Sequence, residues 1–503
     1  MNRQKYISLK SVLGVSLLLT LGFLYPSAVD RLGDLEWPDG DQGCPSDLNE
    51  CTTGLASGAA TPDGRPLLWK NRDVGNVNQE FHYVDDGRIP FISIAYKNDT
   101  LYYGGINAAG FAIENSNSYN LGAAAGKNGW GYGEDDGQIH RLALATCRTV
   151  DDFQTLMDSL DEGGRTRNSN YGVIDAFGGA AMFETGGHSY TRYDAIDSPD
   201  GFLIRSNYSY SGNGLNGRPD GWGPYRHDRA YSRFKAALEA GGITPKYIFQ
   251  WVSRDISIDG TDPYPLPFDG YVEDEAYGCI PNDEAICRNS TRGVLVAQGV
   301  RDGERPEDAV LWAMPGTQLS SIALPLWVRA GSVPTEMDGV TGSRICDRAV
   351  SLQSWIYNQG AVDTWKLTNP EGNGLWDYTF QLEDWVFAKT EAFLNSPGFD
   401  YDRLEEFQNS LAQQAADSLI AWQPPYPVTE LMEPIIEDGN VVLRWDTQPS
   451  LNGATPRSYA LYRSSDPFRE GNLGVKLATL NGTEFVDDDP PAGAAFYRVK
   501  GEF

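Results

Sequence analysis

Cys51-Thr52-Thr53-Gly54-Leu55-Ala56-Ser57-Gly58-Ala59-Ala60-Thr61-Pro62-Asp63-Gly64-Arg65-Pro66-Leu67-Leu68-Trp69-Lys70-Asn71-Arg72-Asp73 reads as two strands joined by a turn. Asp63-Gly64 is a hairpin-turn signal, and the apolar stretch 66–70 after it is a strand. Folded this way, the second strand brings Asp73 back beside Cys51. That placement matters for the chemistry open to Cys51. An N-terminal Cys, Ser or Thr can use its side chain as nucleophile and its own α-amino group as base, because that amine titrates near ~7.7–8.0. Asp73 would then hold the amine in place, and Lys70 or Arg72 would favour the thiolate.

The residues before Cys51 fit such a design. Positions 1–10 carry Arg3, Lys5 and Lys10, positions 11–25 are uncharged and mostly apolar, and Pro26-Ser27-Ala28 offers small residues for cleavage. This is the layout of a signal peptide over 1–28, and it implies a secreted or periplasmic protein. The acidic stretch 29–50 has little hydrophobic periodicity and reads as a propeptide. Signal peptidase needs a small residue before the cut, and Glu50 is not one. Self-cleavage by attack of the Cys51 thiol on the Glu50 carbonyl is the better account.

Downstream, 91–96, 100–105 and 111–117 read as strands, with Asn98-Asp99 as a turn between the first two. A helix is expected over 138–147. A second starts at a capping box, Thr149-Val-Asp-Asp152, and spaces Val150, Phe153, Met157 and Leu160 along one face. Strands return near 171–177, 181–185, 188–193 and 201–207. Leu404, Phe407, Leu411, Ala415 and Leu419 mark an amphipathic helix. Strand runs separated by a helix pair suggest α+β layers. Pro424-Pro425-Tyr426-Pro427 looks like a linker, and residues 428–503 switch to short strands with turns between them, the pattern of a β-sandwich.

The composition removes several function classes. With 503 residues, 40 Lys+Arg against 69 Asp+Glu and a formal charge of −29, the chain lacks the basic footprint of a nucleic-acid binder. Four histidines, with no HExxH and no CxxC, leave zinc hydrolysis and dithiol redox chemistry little to stand on. A His-dependent triad is equally hard to place.

Cys-Thr-Thr, then Asp-Gly, then Asn-x-Asp, in this order, resembles the N-terminal nucleophile (Ntn) hydrolases that cleave linear amides. The nearest groups are the penicillin V acylase/bile salt hydrolase group and the isopenicillin N acyltransferase-like group. Further stations follow in the family's order. Gly105-Ile-Asn-Ala-Ala-Gly-Phe-Ala-Ile-Glu-Asn-Ser-Asn117 resembles the strand–turn–strand ending in an active-site Asn. Leu203-Ile-Arg-Ser-Asn207 resembles the strand delivering a second, and Tyr231-Ser-Arg-Phe234 resembles the family's Ser-Arg-Phe. Ser290-Thr291 with the 294–300 strand resembles the core's late strand. The resemblance covers 51–422.

It implies a four-layer αββα catalytic domain over 51–423. Separately, Trp445, Tyr459-Ala-Leu-Tyr462 and Gly493-Ala-Ala-Phe-Tyr-Arg-Val499 resemble a fibronectin type III module, an expected β-sandwich over 428–503. The hydrolase resemblance implies Cys51 as nucleophile and Asp73 as the residue orienting the amine. Asn117 and Asn207 would donate to the oxyanion, with Asn115 as alternative to Asn117. Arg233 would hold the Cys51/Asp73 arrangement. No cofactor or metal is implied. The partner would be a small-molecule amide, attacked to form a thioester that water or an acceptor amine resolves. The C-terminal sandwich suits contact with a surface or a carbohydrate. Loops around Tyr132, Trp222 and Tyr225, rich in Gly and aromatics, would line an acyl pocket.

Two other readings compete. Secreted dipeptidases of the same clan also begin Cys-Thr-Thr. A non-catalytic adhesive protein would instead pair Cys44 with Cys51. If Cys44 leaves with the propeptide, Cys279–Cys287 and Cys147–Cys346 are the natural disulfides among the remaining cysteines, with buried thiols as the alternative for the second pair.

Overall fold

The computed structural model describes residues 50–122, 136–213, 222–257, 279–338, 343–358, 360–368, 372–424, 429–431, 434–437, 440–447, 458–464, 475–490 and 495–502. The expected leader, the propeptide up to 49, Cys44, Tyr132 and the 425–427 part of the proline-rich break lie outside them. Two compact units emerge, one built from 48–368 and 373–422, the other containing the chain from 423 onward.

The larger unit starts with β1 (Cys51–Ala56) and β2 (Leu67–Asp73). A meander follows: β3 (Gln79–Val84), β4 (Phe91–Tyr96), β5 (Tyr102–Asn107) and β6 (Ala112–Asn117). Helices α1 (Asp136–Thr146) and α2 (Val150–Gly163) interrupt it before β7 (Ser169–Ile174), β8 (Ala180–Thr185), β9 (Tyr190–Asp194) and β10 (Phe202–Arg205). Then come α3 (Pro224–Glu239), β11 (Thr291–Gln298), β12 (Val310–Pro315), β13 (Leu324–Leu326), α4 (Arg344–Ile356), α5 (Leu375–Leu394) and α6 (Leu404–Ala421).

These strands make two antiparallel sheets. One has the order β10-β1-β2-β11-β12-β13 and the other runs β3 through β9 in sequence. β1 and β2 pack across onto β6 and β7, so the sheets stack face to face. Helices α1 and α2 cover the outer face of the seven-stranded sheet. There Ile139, Ala143, Leu144, Val150, Phe153 and Met157 pack with Phe111, Tyr171, Val173 and Phe183. On the other side, α3 packs on β1 and β10, and α4, α5 and α6 pack on β12 and β13. A strand covered on both faces loses the in/out alternation of a half-exposed one. Accordingly, every residue of β1, β2, β7 and β8 is buried.

The capping box expected at Thr149 is formed. The Asp152 amide donates to the Thr149 hydroxyl at 3.0 Å, and the Thr149 amide to the Asp152 carboxylate at 3.0 Å. The turn at Asn98 takes a left-handed φ of 61°, a conformation Asn tolerates. Strands β3 and β12 and helices α3, α4 and α5 were not legible from periodicity. Among the described residues no helix is long and apolar enough to cross a membrane.

The disulfide expectation is overturned in part. Cys147, Cys287 and Cys346 are buried free thiols, so neither the Cys279–Cys287 nor the Cys147–Cys346 bridge forms. Their surroundings explain it. Cys147 belongs to the α1/α2 apolar core, and the Cys346 thiol donates to the Val77 carbonyl at 3.3 Å. Cys287 is fully buried.

The second unit contains β14 (Thr429–Leu431), β15 (Ile435–Glu437), β16 (Asn440–Thr447), β17 (Ser458–Ser464), β18 (Val475–Leu480), β19 (Glu484–Asp487) and β20 (Phe496–Glu502). β16 pairs with β14, β15 and β19, and β17 sits between β18 and β20. Leu443, Trp445, Tyr459, Leu461 and Tyr497 form its core.

Candidate active site

The β1–β2 hairpin sets Cys51 opposite Arg72, and Thr53 opposite Lys70. On the other side of β1, Thr53 faces Arg205. Continuing that antiparallel register brings Asn207 level with Cys51. Both neighbours of the nucleophile candidate are thus fixed by strand pairing, the most strongly specified geometry a buried sheet offers.

Cys51 carries a free thiol and is 5% exposed. A Cys44–Cys51 bridge, the basis of the adhesive reading, is therefore not formed. The peptide around Cys51 is gripped at each polar atom. Its N–H donates to the Asn207 side-chain oxygen at 3.3 Å. Its carbonyl accepts from Arg226 Nη1 at 2.9 Å. The same nitrogen reaches Thr52 Oγ1 at 3.0 Å, and Arg226 Nη2 reaches Asn207 Oδ1 at 2.9 Å and Glu50 Oε2 at 3.1 Å. Glu50 also pairs with Arg288.

Burial pushes the Cys51 thiol above its ordinary value. Lys70 opposes that most strongly, the Asp73 carboxylate adds to it, and the Asp73 backbone amide and Arg72 oppose it further. Of the two candidate cations, Lys70 thus acts more on the sulfur. Arg72 is held elsewhere: its Nε donates to Gln79 at 3.0 Å, and its guanidinium lies 3.8 Å from the Tyr103 ring centroid and 4.6 Å from that of Tyr96. Lys70 Nζ donates to Asn115 Oδ1 at 2.6 Å, and burial lowers its own pKa.

Burial raises the Asp73 carboxyl to about 6, against the pull of Arg288, Arg226 and the Thr291 hydroxyl. That hydroxyl donates to Asp73 Oδ1 at 2.5 Å, while Asp73 Oδ2 is buried without a hydrogen-bond partner among the described residues. Asn71, the other polar residue of the Asn-x-Asp station, is structural. Its amide nitrogen donates to the Ser253 and Ile286 carbonyls at 3.0 and 3.1 Å.

Two expectations need correction. Arg233 pairs with Asp255 at 2.6 Å, and the guanidinium on the Cys51 peptide is that of Arg226. Both lie on α3, seven residues or about two turns apart and so on one face. Arg226 is nearer the helix start, which overhangs Cys51. Gly223 begins that helix with φ +74°, and a Cβ there would meet Arg226 Nη2 at 2.4 Å. The absent side chain leaves room for the guanidinium, so Gly223 just before Pro224 is the sequence signal that marks Arg226.

The second correction concerns Asn207. Its amide nitrogen donates to the Asn117 carbonyl at 3.0 Å, so its oxygen is the atom that meets Cys51. The side chain thus turns its oxygen, and not its amide nitrogen, toward the Cys51 nitrogen. It is also fully buried.

The bond from Asn207 to Asn117 brings the two ninety-apart asparagines together beside Cys51. Asn115, two residues before Asn117 on the same face of β6, has its side chain committed: it accepts from Lys70 and donates to Ser169 Oγ at 3.0 Å and Asp136 Oδ2 at 3.3 Å. Trp222 is held through its carbonyl by the Asn207 backbone N–H at 3.0 Å. Tyr225 is 47% exposed.

Residues 59–235 match the family model for acyl-coenzyme A:6-aminopenicillanic acid acyl-transferase. The likeness to that family lies over this stretch of the chain. The match holds Asp73, Asn115, Asn117, Asn207, Arg226 and Arg233 and starts after Cys51. Among solved structures, a mutant of the conjugated bile acid hydrolase from Clostridium perfringens is 13% identical, covering 55% of this chain and 92% of its own, with a TM-score of 0.35. Penicillin V acylase from Agrobacterium tumefaciens is 12% identical over 55% and 86%, with a TM-score of 0.33. The N-acylethanolamine-hydrolyzing acid amidase ortholog of Caenorhabditis elegans is 14% identical over 49% and 92%, also with a TM-score of 0.33. No curated protein matches the sequence.

Proposed function

We propose that the chain is an exported cysteine Ntn hydrolase or acyltransferase of linear, non-peptide amides, activated by cutting itself between Glu50 and Cys51. The observation that carries this reading is the buried free thiol of Cys51 at the start of β1, with its N–H on Asn207, its carbonyl on Arg226 and cations on its sulfur side.

In the precursor, the Cys51 sulfur attacks the Glu50 carbonyl carbon. The C–N bond breaks, the nitrogen takes up a proton, and residues 1–50 are left as a thioester on Cys51. Water hydrolyses that thioester and releases the propeptide with a new carboxylate. The freed α-amino group, oriented by Asn207 and Asp73, then accepts the thiol proton as Cys51 attacks a substrate amide, and passes it to the leaving amine. Asn117 is the remaining candidate donor to the oxyanion. Lys70, more than Arg72, offsets the thiolate charge, and Arg226 holds the Cys51 carbonyl. Water or an acceptor amine resolves the second thioester. We read the second unit as a fibronectin type III-like sandwich, supported by its two small sheets around Trp445 and Tyr459.

N-terminal sequencing of active protein tests the reading. It should begin at Cys51; active protein starting at Val29 would exclude self-cleavage as the activating step.

The intact chain has no free amine at Cys51, so the first cut needs another base. Asp73, raised to about 6, is the acid beside the thiol. Below that value it is protonated and cannot accept a proton; above it, it can. Self-cleavage of purified precursor should therefore accelerate as pH rises through about 6. Asp73→Asn should be slow and flat across that range, as followed by gel or intact mass. The same raised pKa works against stability. The advantage of a neutral Asp73 is full below its unfolded value near ~3.9 and lost as pH rises through 6.

A further inference from the structure

We propose that Arg288 and Arg226 form a carboxylate subsite that selects acyl groups carrying a second carboxylate, of the glutaryl type. The proposal rests on the reading of Cys51 as an acyl-accepting nucleophile.

Glu50 is only 6% exposed. Its carboxylate oxygen takes Arg226 Nη2 at 3.1 Å and pairs with Arg288 Nη1. A buried carboxylate between two guanidiniums is a built anion site, because an unpaired charge there is costly. Self-cleavage makes Glu50 the first acyl group that Cys51 ever carries. From the attacked carbonyl carbon, the chain runs through Cα, Cβ and Cγ to the side-chain carboxyl. That is a five-carbon diacid, joined to sulfur at one end and held by arginines at the other.

Release of residues 1–50 removes this anion and leaves its cradle. Arg226 cannot swing away, since Cys51 O, Thr52 Oγ1 and Asn207 Oδ1 all hold it. The Arg288 segment is anchored by its backbone N–H on Thr291 Oγ1 at 3.1 Å, and Thr291 in turn donates to Asp73. The Nε atoms of both arginines are buried without a hydrogen-bond partner among the described residues. Asp73 is the inner competitor for the two cations, and Glu284 lies on the Arg288 side. A glutaryl group would return to the arginines the charge that Glu50 removed, at the same reach from the sulfur.

The test compares acylation of Cys51 in processed protein by 4-nitrophenyl glutarate and by its neutral counterpart, 4-nitrophenyl valerate. In each case the S–C bond forms, the aryl ester C–O bond breaks, the thiol proton passes to the α-amino group and 4-nitrophenolate leaves. The glutarate should acylate about tenfold faster or more, the size of one good charge-assisted contact. Arg288→Met should collapse that ratio toward one, and Arg288→Lys should keep part of it. Equal rates, or a faster valerate, would overturn the subsite while leaving the nucleophile in place. No acylation of Cys51 by either ester would overturn both. A measurement on wild-type protein alone guards against a misfolded variant. Glutaramate should shield Cys51 from iodoacetamide at concentrations where valeramide does not, and equal shielding would refute the subsite.

Discussion

Cys51→Ala is expected to leave the precursor uncut and amide turnover at background, a loss on the order of 10⁶ where a nucleophile is removed from an intact site. The argument is one of position. Cys51 is the thiol with a cation pair on its sulfur side, a carboxylic acid of intermediate pKa beside it and its own backbone nitrogen held by a side-chain acceptor. Cys147 and Cys346 are raised to about 12 and about 11 by burial. Neither is gripped by such a set. Cys51→Ser should be trapped as precursor or cut slowly, because a hydroxyl is a poorer nucleophile than a thiol near neutral pH. Intact mass separates the outcomes: wild type without residues 1–50, serine as a mixture, alanine uncut. Full turnover by Cys51→Ala would end the hypothesis.

Much of this site was legible because strand pairing is periodic. The Asp63-Gly64 turn and the apolar stretch after it are enough to bring 70–73 back to Cys51, and the register does so. The resemblance, through its order of stations, led to Asn207, two residues beyond the last pair of β10 with β1, Thr53 with Arg205. What failed was the choice between equivalent positions on a helix. Arg226 and Arg233 share a face of α3, and a three-residue motif cannot say how far the helix start overhangs β1. Atom-level roles failed as well. Whether Asn207 offers its oxygen or its nitrogen to Cys51 depends on the Asn117 carbonyl, a partner ninety residues away. Arg288 had no motif to mark it. Its role emerges only from the ion pair with Glu50, the residue that the chain is expected to discard.

Asn207 gives the second large effect, and its two substitutions should part company. The side chain accepts from the Cys51 N–H and from Arg226, and donates to the Asn117 carbonyl, with no exposure to solvent. Asn207→Ala takes the side-chain partner from the Cys51 N–H and the Asn117 carbonyl, and one of several from Arg226. Each buried group left unpaired costs about 1–3 kcal/mol, so the melting temperature should fall. Turnover of the folded fraction should drop on the order of 10² or more, since the amine loses its orientation. Asn207→Asp keeps both acceptor contacts and adds a charge beside Arg226, so it should melt closer to wild type than the alanine variant. Its carboxylate, however, sits where the amide oxygen is now, 3.3 Å from the Cys51 nitrogen. A negative charge there favours the ammonium form and raises the amine above its ordinary ~7.7–8.0. The neutral amine is the base, so the acid limb of the rate should move to higher pH. Asn207→Asp should then be slow at pH 7 and recover as the solution is made alkaline, while Asn207→Ala stays slow throughout. Melting temperature and single-turnover acylation against pH, measured on both variants, decide the matter. Normal acylation by Asn207→Asp at pH 7 would remove Asn207 from the proton path.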